Sequence, residues 1–268
     1  MRKAILSFDV DGLWAQEQLW GKLSTSQIEE IKKNDVVIKK GLPIVLNFLK
    51  EHDIKATFFV VGQNVENYKN EHKRILKEGH EIASHTYSHP VNLSSLTYKE
   101  KEFEISKNEK IIQQILNVKP IGFRAPTYSI DKETINILEK RNYLYDSSII
   151  PTFIPGFTKI KNLFLSSKPF FLTKEKKLLE IPLSKFIIFP VLGTALYNLG
   201  KTYFSLISFF IRNKPLVLNF HIRDFVKIRR GAFWLPSYKK RMKLFNHVIK
   251  KLIKNYEFLT LEDFANTY

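Results

Sequence analysis

The fold is decided by an apolar stretch near the N-terminus, KAILSFDV at residues 3–10, which predicts a buried β-strand ending among acidic residues. A second such stretch, KATFFVV at residues 55–61, is closed by Gly62. Between the two, residues 41–52 place their apolar side chains on one face of a helix. Strand and helix therefore alternate from the start, which is typical of a parallel sheet covered by helices.

This alternation continues over the rest of the 268 residues. Further strands are predicted at residues 81–84, 121–124, 143–145, 178–181, 216–221 and 258–260, and further helices at residues 66–77, 98–116, 131–140 and 238–255. About eight strands favour a barrel over an open sheet. Since no linker or repeat marks a boundary, we expect one domain over residues 1–268, with an irregular rim insertion at about 149–177.

The composition limits the chemistry that the chain can carry. Apolar residues make up 44% and charged residues 26%, as in an ordinary folded globular protein. The chain has no cysteine, which excludes disulfides, thiolate ligands and a cysteine nucleophile. Any metal site must therefore use His, Asp and Glu.

The net charge of +17 suggests an attraction to polyanions, such as nucleic acid, an anionic membrane face or a phosphate-bearing glycan carrier. The alternative is a lysine-rich composition spread over solvated helix faces. The sequence shows no helix-turn-helix, zinc-finger or RNA-recognition motif, so no nucleic-acid partner is expected.

The aromatic run at residues 203–212 favours a core helix with its loop, although it lies beside Lys201 and ends at Arg212, a pattern also found in helices that lie on membranes. The N-terminus lacks a signal-peptide pattern. These features predict a cytoplasmic protein, and a peripheral position at the inner membrane face is the alternative.

Two histidines are spaced by four residues in SHTYSHP at residues 84–90. In a helical turn this spacing puts both imidazoles on one face, where they can bind one metal ion. Such a pair also arises by chance, so His85 and His89 indicate a metal site only if further ligands lie nearby.

Two carboxylates, Asp9 and Asp11, stand at the end of the first predicted strand, just before Gly12. Burying both as anions without a cation is costly, and a metal ion would offset that cost. The alternative is a turn in which Asp11 and Gly12 only set backbone geometry. The His pair elsewhere in the chain favours the metal site.

Arg124 and His221 also close predicted strands. A guanidinium at a strand end can brace a carboxylate through a fork of hydrogen bonds, although a lone Arg or His there is more often solvated or structural. Catalytic groups of α/β folds lie at the carboxyl ends of the strands. We therefore expect these two side chains on one rim with the Asp and His pairs.

The combination resembles the polysaccharide deacetylases of carbohydrate esterase family 4, which share the nodulation-factor deacetylase (NodB) homology domain. The resemblance runs in order from Ala4 to about Asp224. It rests on SFDVDG at residues 7–12, SHTYSHP at 84–90, RAPTY at 124–128, DSS at 146–148 and the strand that ends at His221.

This resemblance implies an α/β fold, a distorted (β/α) barrel of seven or eight strands. It also implies a divalent metal, most often zinc, held by Asp11, His85 and His89. Asp9 would be the general base that takes a proton from the attacking water, and Arg124 would steady it.

The resemblance assigns three further roles. His221 would protonate the leaving amine, Asp146 would orient His221, and the backbone N–H of Tyr128 would stabilise the oxyanion. The implied activity is metal-dependent removal of an N-acetyl group from an amino sugar in a polysaccharide, peptidoglycan or a glycan precursor.

Three departures from the family pattern bear on the roles of the two Asp residues and on the identity of the acyl group. One residue separates the two Asp residues, no Trp follows Asp146, and Asn219 stands where the family has Leu. Formyl therefore remains an alternative to acetyl. The sequence also admits a deformylase or deacetylase of a polyprenyl-phosphate-linked sugar at the cytoplasmic membrane face, or a non-catalytic glycan-binding relative.

Overall fold

The computed structural model describes residues 2–15, 23–154, 158, 160–210, 215–227 and 236–268. Its strands are β1 (Arg2–Val10), β2 (Thr57–Val60), β3 (Glu81–Ser84), β4 (Gly122–Phe123), β5 (Tyr145–Asp146), β6 (Phe170–Phe171), β7 (Leu179–Glu180), β8 (Lys185–Phe186), β9 (Phe189–Pro190), β10 (Leu216–His221) and β11 (Tyr256–Leu259). Its α-helices are α1 (Thr25–Lys33), α2 (Leu42–Glu51), α3 (Gly62–Asn67), α4 (Lys69–Lys77), α5 (Tyr98–Leu116), α6 (Lys132–Lys140), α7 (Gly193–Phe210), α8 (Tyr238–Ile253) and α9 (Leu261–Ala265).

The main sheet has the order β10-β1-β2-β3-β4-β5-β7-β6, and β11 pairs with the first half of β1. Every pairing from β10 to β7 is parallel, whereas β6 runs antiparallel to β7. Parallel strands joined by helical crossovers bury both faces of a sheet. The predicted α/β class is confirmed.

The sheet curls back on itself beyond β7. The Ser184 backbone N–H donates to the Val217 carbonyl at 3.1 Å, and the Ser184 hydroxyl accepts from the Val217 N–H at 2.9 Å. Leu192 adds an isolated parallel bridge to Asn219 of β10. These contacts bring the β7 end of the row to β10, which gives the distorted barrel that the sequence predicted.

The predicted elements agree with the structure in type over most of the described residues. Asp131 caps α6 as expected, since its side chain accepts the Thr134 N–H at 2.9 Å. The single helix predicted over residues 66–77 was wrong, because Tyr68 breaks it with φ −132° and ψ 56°. The Tyr68 hydroxyl is needed elsewhere: it accepts the Asp35 N–H at 2.6 Å and thereby ties down the loop after α1.

The aromatic run at residues 203–212, for which a core helix with its loop was the favoured prediction, forms the second half of α7, although its last residues, 211–212, lie outside the described residues. Tyr203, Phe204 and Ile207 of this helix are buried in the core. Within the described ranges, no helix is both long and apolar enough to cross a bilayer.

Candidate active site

The strand ends place the predicted site residues on one rim of the sheet. Asp9 at the end of β1 is in register with His221 at the end of β10. Ser84 of β3 pairs with Phe123 of β4, so His85 and Arg124 leave neighbouring strands side by side. Residues far apart in the sequence thus meet because parallel strands end at the same edge.

Arg124 is the buried cation at the centre of this rim. Its Nε donates to the Ser147 carbonyl at 2.9 Å, and its Nη1 donates to Asp9 Oδ1 at 2.8 Å and to Asn219 Oδ1 at 2.8 Å. The guanidinium carbon also lies 3.9 Å from the centre of the Phe59 ring. These contacts fix a charge against Asp9, as the sequence led us to expect.

Asp9 is held through both carboxylate oxygens. Its Oδ2 accepts from Asn219 Nδ2 at 2.9 Å and lies 3.5 Å from His221 Nε2. Burial alone would raise the pKa of Asp9, but the charge and hydrogen bond of Arg124, together with the nearby His85 and His221, outweigh it and hold that pKa well below its usual range. Asp9 is therefore an oriented carboxylate that stays ionised at ordinary pH.

Asp11 is the second buried carboxylate, and its partners are incomplete. Its Oδ2 accepts from Arg223 Nη1 at 2.8 Å, whereas its Oδ1 is buried without a hydrogen-bond partner among the described residues. Burial raises the pKa of Asp11 to about 7, although the charge of Arg223 opposes that rise. A buried carboxylate with one unpaired oxygen is costly in free energy, and binding of a further cation would lower that cost.

The backbone around Asp11 is shaped by Gly12. A Cβ at this position would overlap Asp35 Oδ2 and the Trp14 ring. Asp35 uses that oxygen to accept the Leu13 N–H at 2.6 Å. Gly12 is therefore required for the close packing of this turn, and the same turn places Asp11 on the rim.

His85 and His89 meet with their ring centres 5.1 Å apart. The predicted helical turn was wrong: they lie on a loop in which Thr86 and His89 have left-handed φ values of 64° and 53°. The loop backbone is held by the Glu104 side chain of α5 instead of by helical hydrogen bonds. This side chain accepts the Tyr87 N–H at 3.0 Å and the Ser88 N–H at 2.8 Å. The spacing of four still brings the imidazoles together.

The donor types at the predicted metal site fit a divalent cation. His85 Nδ1 lies 2.7 Å from the Arg124 carbonyl, so donation of its proton there would leave Nε2 free to bind an ion. His89 Nδ1 and Asp11 Oδ1 are buried with no partner among the described residues. However, no three His, Asp or Glu side chains in the described part of the chain lie close enough together to hold one ion. Asp11 is instead paired with Arg223.

His221 sits beside Asp9 at the mouth of the site. Its backbone N–H donates to Asp224 Oδ2 at 3.2 Å. Burial, together with the charge of Arg223, lowers the pKa of His221 to about 3, although Asp9 opposes this. The imidazole is therefore neutral near pH 7 unless a proton is delivered to it.

The structure does not bring Asp146 to His221, contrary to the expected pairing. Asp146 Oδ1 accepts from the Ser148 hydroxyl at 2.6 Å, and its carboxyl also hydrogen-bonds Glu180. Burial raises the pKa of both Asp146 and Glu180, so one proton shared between them avoids two adjacent buried charges. The pair lies behind Arg124, where it supports the loop rather than the imidazole.

Tyr128 differs from expectation in the group that it offers to the site. Its backbone N–H donates to the Ala125 carbonyl at 3.0 Å and closes a 3-10 turn, so it is already engaged. Its hydroxyl instead accepts from Asn219 Nδ2 at 2.7 Å. The expected oxyanion role of this amide stays a prediction that the turn geometry does not favour.

Two residues of the site, Asn219 and Arg223, were not assigned any role in it from the sequence alone. Asn219 joins Asp9, Arg124 and Tyr128, although the sequence indicated it only as a departure from a pattern. Arg223 lies on the turn after β10 and pairs with Asp11, 212 residues away in sequence. A charged residue two positions after a strand-end His was the only sequence signal for it.

Comparison with known proteins finds a partial match to one family. Residues 33–145 match the family model described as polysaccharide deacetylase. A peptidoglycan-N-acetylglucosamine deacetylase of Bacillus cereus is 38% identical over 102 residues, which are 38% of this chain and 37% of that relative. The match thus spans little more than a third of the relative's length.

Solved structures show the same fold over nearly the whole chain. A Mycobacterium smegmatis protein assigned as a polysaccharide deacetylase aligns with a TM-score of 0.68 and 18% identity, covering 99% of this chain and 89% of that one. A pseudoenzyme of carbohydrate esterase family 4 from Bacillus anthracis aligns with a TM-score of 0.58 and 17% identity, covering 99% and 66%. At such identities the likeness establishes the fold alone.

Proposed function

We propose that this chain, whose residues 33–145 match the polysaccharide deacetylase family model, hydrolyses the N-acetyl group of an amino sugar in a polysaccharide, in peptidoglycan or in a glycan precursor. One observation carries the proposal: the buried Asp9–Arg124 pair lies 3.5 Å from His221, on the rim that also holds Asp11 and the His85–His89 loop. An ionised carboxylate beside an imidazole is a proton-transfer pair.

Asp11, His85 and His89 would hold the divalent metal, and their donor set suits zinc. When bound, the metal would polarise the amide carbonyl and lower the pKa of the attacking water. One carboxylate and two imidazoles leave room for that water in the site.

Asp9 would accept the proton of the attacking water. Arg124 and Asn219 hold one oxygen each of its carboxylate, so its direction is set before substrate arrives. Its low pKa makes it a weak base, which suits a water whose own pKa has been lowered. Arg124 also compensates the buried negative charge.

His221 would complete the reaction by protonating the leaving amine. It is neutral at rest, and Nε2 lies 3.5 Å from Asp9 Oδ2, within reach of the proton that Asp9 has accepted. The proton would thus pass from water to Asp9, then to His221, and finally to the amine as the C–N bond breaks. The products would be a free amino sugar and acetate.

The direct test compares two single-atom changes on the rim. We expect Asp9→Asn to keep bound zinc while kcat falls by about 10²–10⁴, because no group accepts the proton. We expect Asp11→Asn to lose zinc, because a neutral amide attracts a dication less strongly. Metal content and acetate release from N-acetylglucosamine oligomers would be measured on both.

Asp53→Asn is the matched control, since Asp53 is exposed and tolerates the same change. Zinc loss from Asp9→Asn with retention in Asp11→Asn would reverse the two roles. Full activity after verified removal of metal would refute the mechanism. Formate in place of acetate, or turnover only of a polyprenyl-phosphate-linked sugar, would keep the chemistry and change the substrate.

A second candidate function is non-catalytic binding of a glycan. The observation that favours it is the Arg223–Asp11 ion pair, which occupies a predicted metal ligand. One structural neighbour is likewise a pseudoenzyme. Binding of glycan oligomers without acetate release, in zinc-supplied protein, would favour this function over hydrolysis.

A further inference from the structure

An apolar hairpin stands out on the surface of the molecule. β8 and β9 pair antiparallel through Phe186 and Phe189, and the turn between them exposes Ile187 by 72% and Ile188 by 52%. Soluble proteins seldom place adjacent isoleucines in solvent without a contact to make.

The backbone at the tip makes this choice of residue unusual. Ile187 has a left-handed φ of 56°, a conformation that Gly or Asn adopts readily and that costs free energy for a β-branched residue. Its side chain is not buried in the core either. Neither local conformation nor packing explains an isoleucine here, which leaves contact with something outside the chain.

The hairpin is held firmly in place by two neighbouring elements. The Tyr203 hydroxyl of α7 lies 3.1 Å from the Phe189 carbonyl and 3.1 Å from the Pro190 carbonyl. On the other side, Lys185 Nζ donates to the Leu163 carbonyl at 2.7 Å. The tip is therefore presented by a rigid support and is not a loose loop.

Both supporting elements also carry exposed apolar side chains. The 3-10 turn that contains Leu163 exposes Phe164 by 88%. Leu206 of α7 lies one helical turn from Tyr203 and is also exposed. The hairpin surface is defined by Ile160, Phe164, Ile187, Ile188 and Leu206.

The charge of the segment that carries the hairpin indicates its partner. Residues 159–201 contain eight lysines and two glutamates, and one of these, Glu180, is fully buried. An apolar tip carried by a lysine-rich segment complements a layer of anionic headgroups over an acyl interior. A second copy of this chain would bring the same positive charge and be repelled.

We propose that the hairpin surface docks onto an anionic lipid bilayer, with Ile187 and Ile188 inserted among the headgroups. Leu192, two residues beyond β9, bridges to Asn219 of the candidate active site. Docking would thus hold the rim of the barrel near the membrane. The proposal does not depend on the hydrolytic function.

Co-sedimentation with lipid vesicles tests the docking. We expect the protein to bind vesicles of phosphatidylcholine and phosphatidylglycerol in equal parts, to bind pure phosphatidylcholine weakly, and to dissociate as salt is raised. The double substitution Ile187→Asn, Ile188→Ser should lower the vesicle affinity by about tenfold, since it removes apolar area from the tip.

The choice of Asn keeps this variant folded, because Asn accepts the left-handed φ at residue 187. Ile253→Ser at the end of α8 is the matched control: Ile253 is 38% exposed and lies outside the hairpin surface, so its removal should leave binding unchanged. Hydrolysis of a soluble oligosaccharide, if present, should be equal in all three proteins.

Three results would overturn the proposal. Equal binding to neutral and anionic vesicles would show that the lysines do not contribute to docking. Wild-type vesicle affinity in the tip variant would show that the hairpin does not contact the membrane. Concentration-dependent dimers in sedimentation equilibrium, abolished by the tip variant, would show that a second copy covers the surface instead.

Discussion

Carboxyl groups are buried at both ends of the parallel sheet, but their hydrogen-bond partners differ between the two ends. At the amino ends of β2 and β3, Glu81 accepts from the Tyr145 hydroxyl at 2.5 Å, the Thr57 hydroxyl at 2.6 Å and the Glu262 N–H at 3.0 Å. At the carboxyl ends, Asp11 leaves one oxygen without a partner among the described residues.

This difference separates an acid that stabilises the fold from acids that are available to a ligand. The donors to Glu81 are neutral, and they join the start of α9 to the sheet. Burial raises the pKa of Glu81 to about 7, so it carries little charge in acid solution. At the other end, Arg124 keeps Asp9 ionised, and the unsatisfied atoms of Asp11 and His89 favour a cation.

The largest expected effect comes from removing the cation at the carboxyl ends. Arg124→Met should lower the free energy of unfolding by about 3–5 kcal/mol, because it leaves Asp9 charged and buried without a counterion. Urea unfolding would measure this loss. Adding Asp9→Asn to Arg124→Met should recover part of it, since the orphaned charge disappears.

Arg74→Met is the control for this prediction. Arg74 pairs with Glu78 at 2.6 Å on a partly exposed helix, so its loss should cost less than about 1 kcal/mol. A similar small cost for Arg124→Met would contradict the view that Arg124 compensates a buried charge.

A smaller effect is expected from titration of Glu81 at the opposite end. Its pKa rises from 4.5 in a free side chain to about 7 in the folded protein, so the folded state holds the proton more tightly. The resulting stabilisation is complete below pH 4.5 and is lost as the pH rises through 7. Glu81→Gln cannot titrate, so this pH-dependent loss should be absent from it.

The measurement is the difference in unfolding free energy between pH values of about 5 and 8. Wild type should lose about 2 kcal/mol more than Glu81→Gln over this interval. The exposed control Glu51→Gln should follow wild type. Parallel curves for wild type and Glu81→Gln would mean that Glu81 titrates alike in the folded and unfolded chains.

The smallest expected effect concerns competition for Asp11. Arg223 Nη1 lies 2.8 Å from Asp11 Oδ2, so a metal ion must displace or share this contact. Arg223→Gln should tighten zinc binding by about tenfold, because a competing cation is removed. Calorimetric titration of metal-free protein with zinc would show it.

Arg141→Gln provides the comparison, since Arg141 pairs with Glu109 away from the rim at 3.0 Å. Unchanged zinc affinity in Arg223→Gln would show that Arg223 does not compete for Asp11. Weaker affinity would mean that Arg223 positions Asp11 for the metal.

The sequence by itself determined the elements and the rim. Continuous apolar runs located β1 and β10, because these strands are buried on both faces, and helical apolar spacing with capping residues located α5 and α6. It also placed Asp9 and His221 together, since parallel strands end at a common edge. The Asp9–Arg124 contact, 115 residues apart, followed from the same argument.

Only the tertiary structure decided which partner each side chain takes on that rim. Nothing in the local pattern indicates that Arg223 pairs with Asp11 or that Asp146 pairs with Glu180. The exposed hairpin tip was equally hidden, since an Ile-Ile pair predicts burial. These outcomes depend on distances of a few ångströms between segments far apart in sequence, which packing sets and periodicity does not.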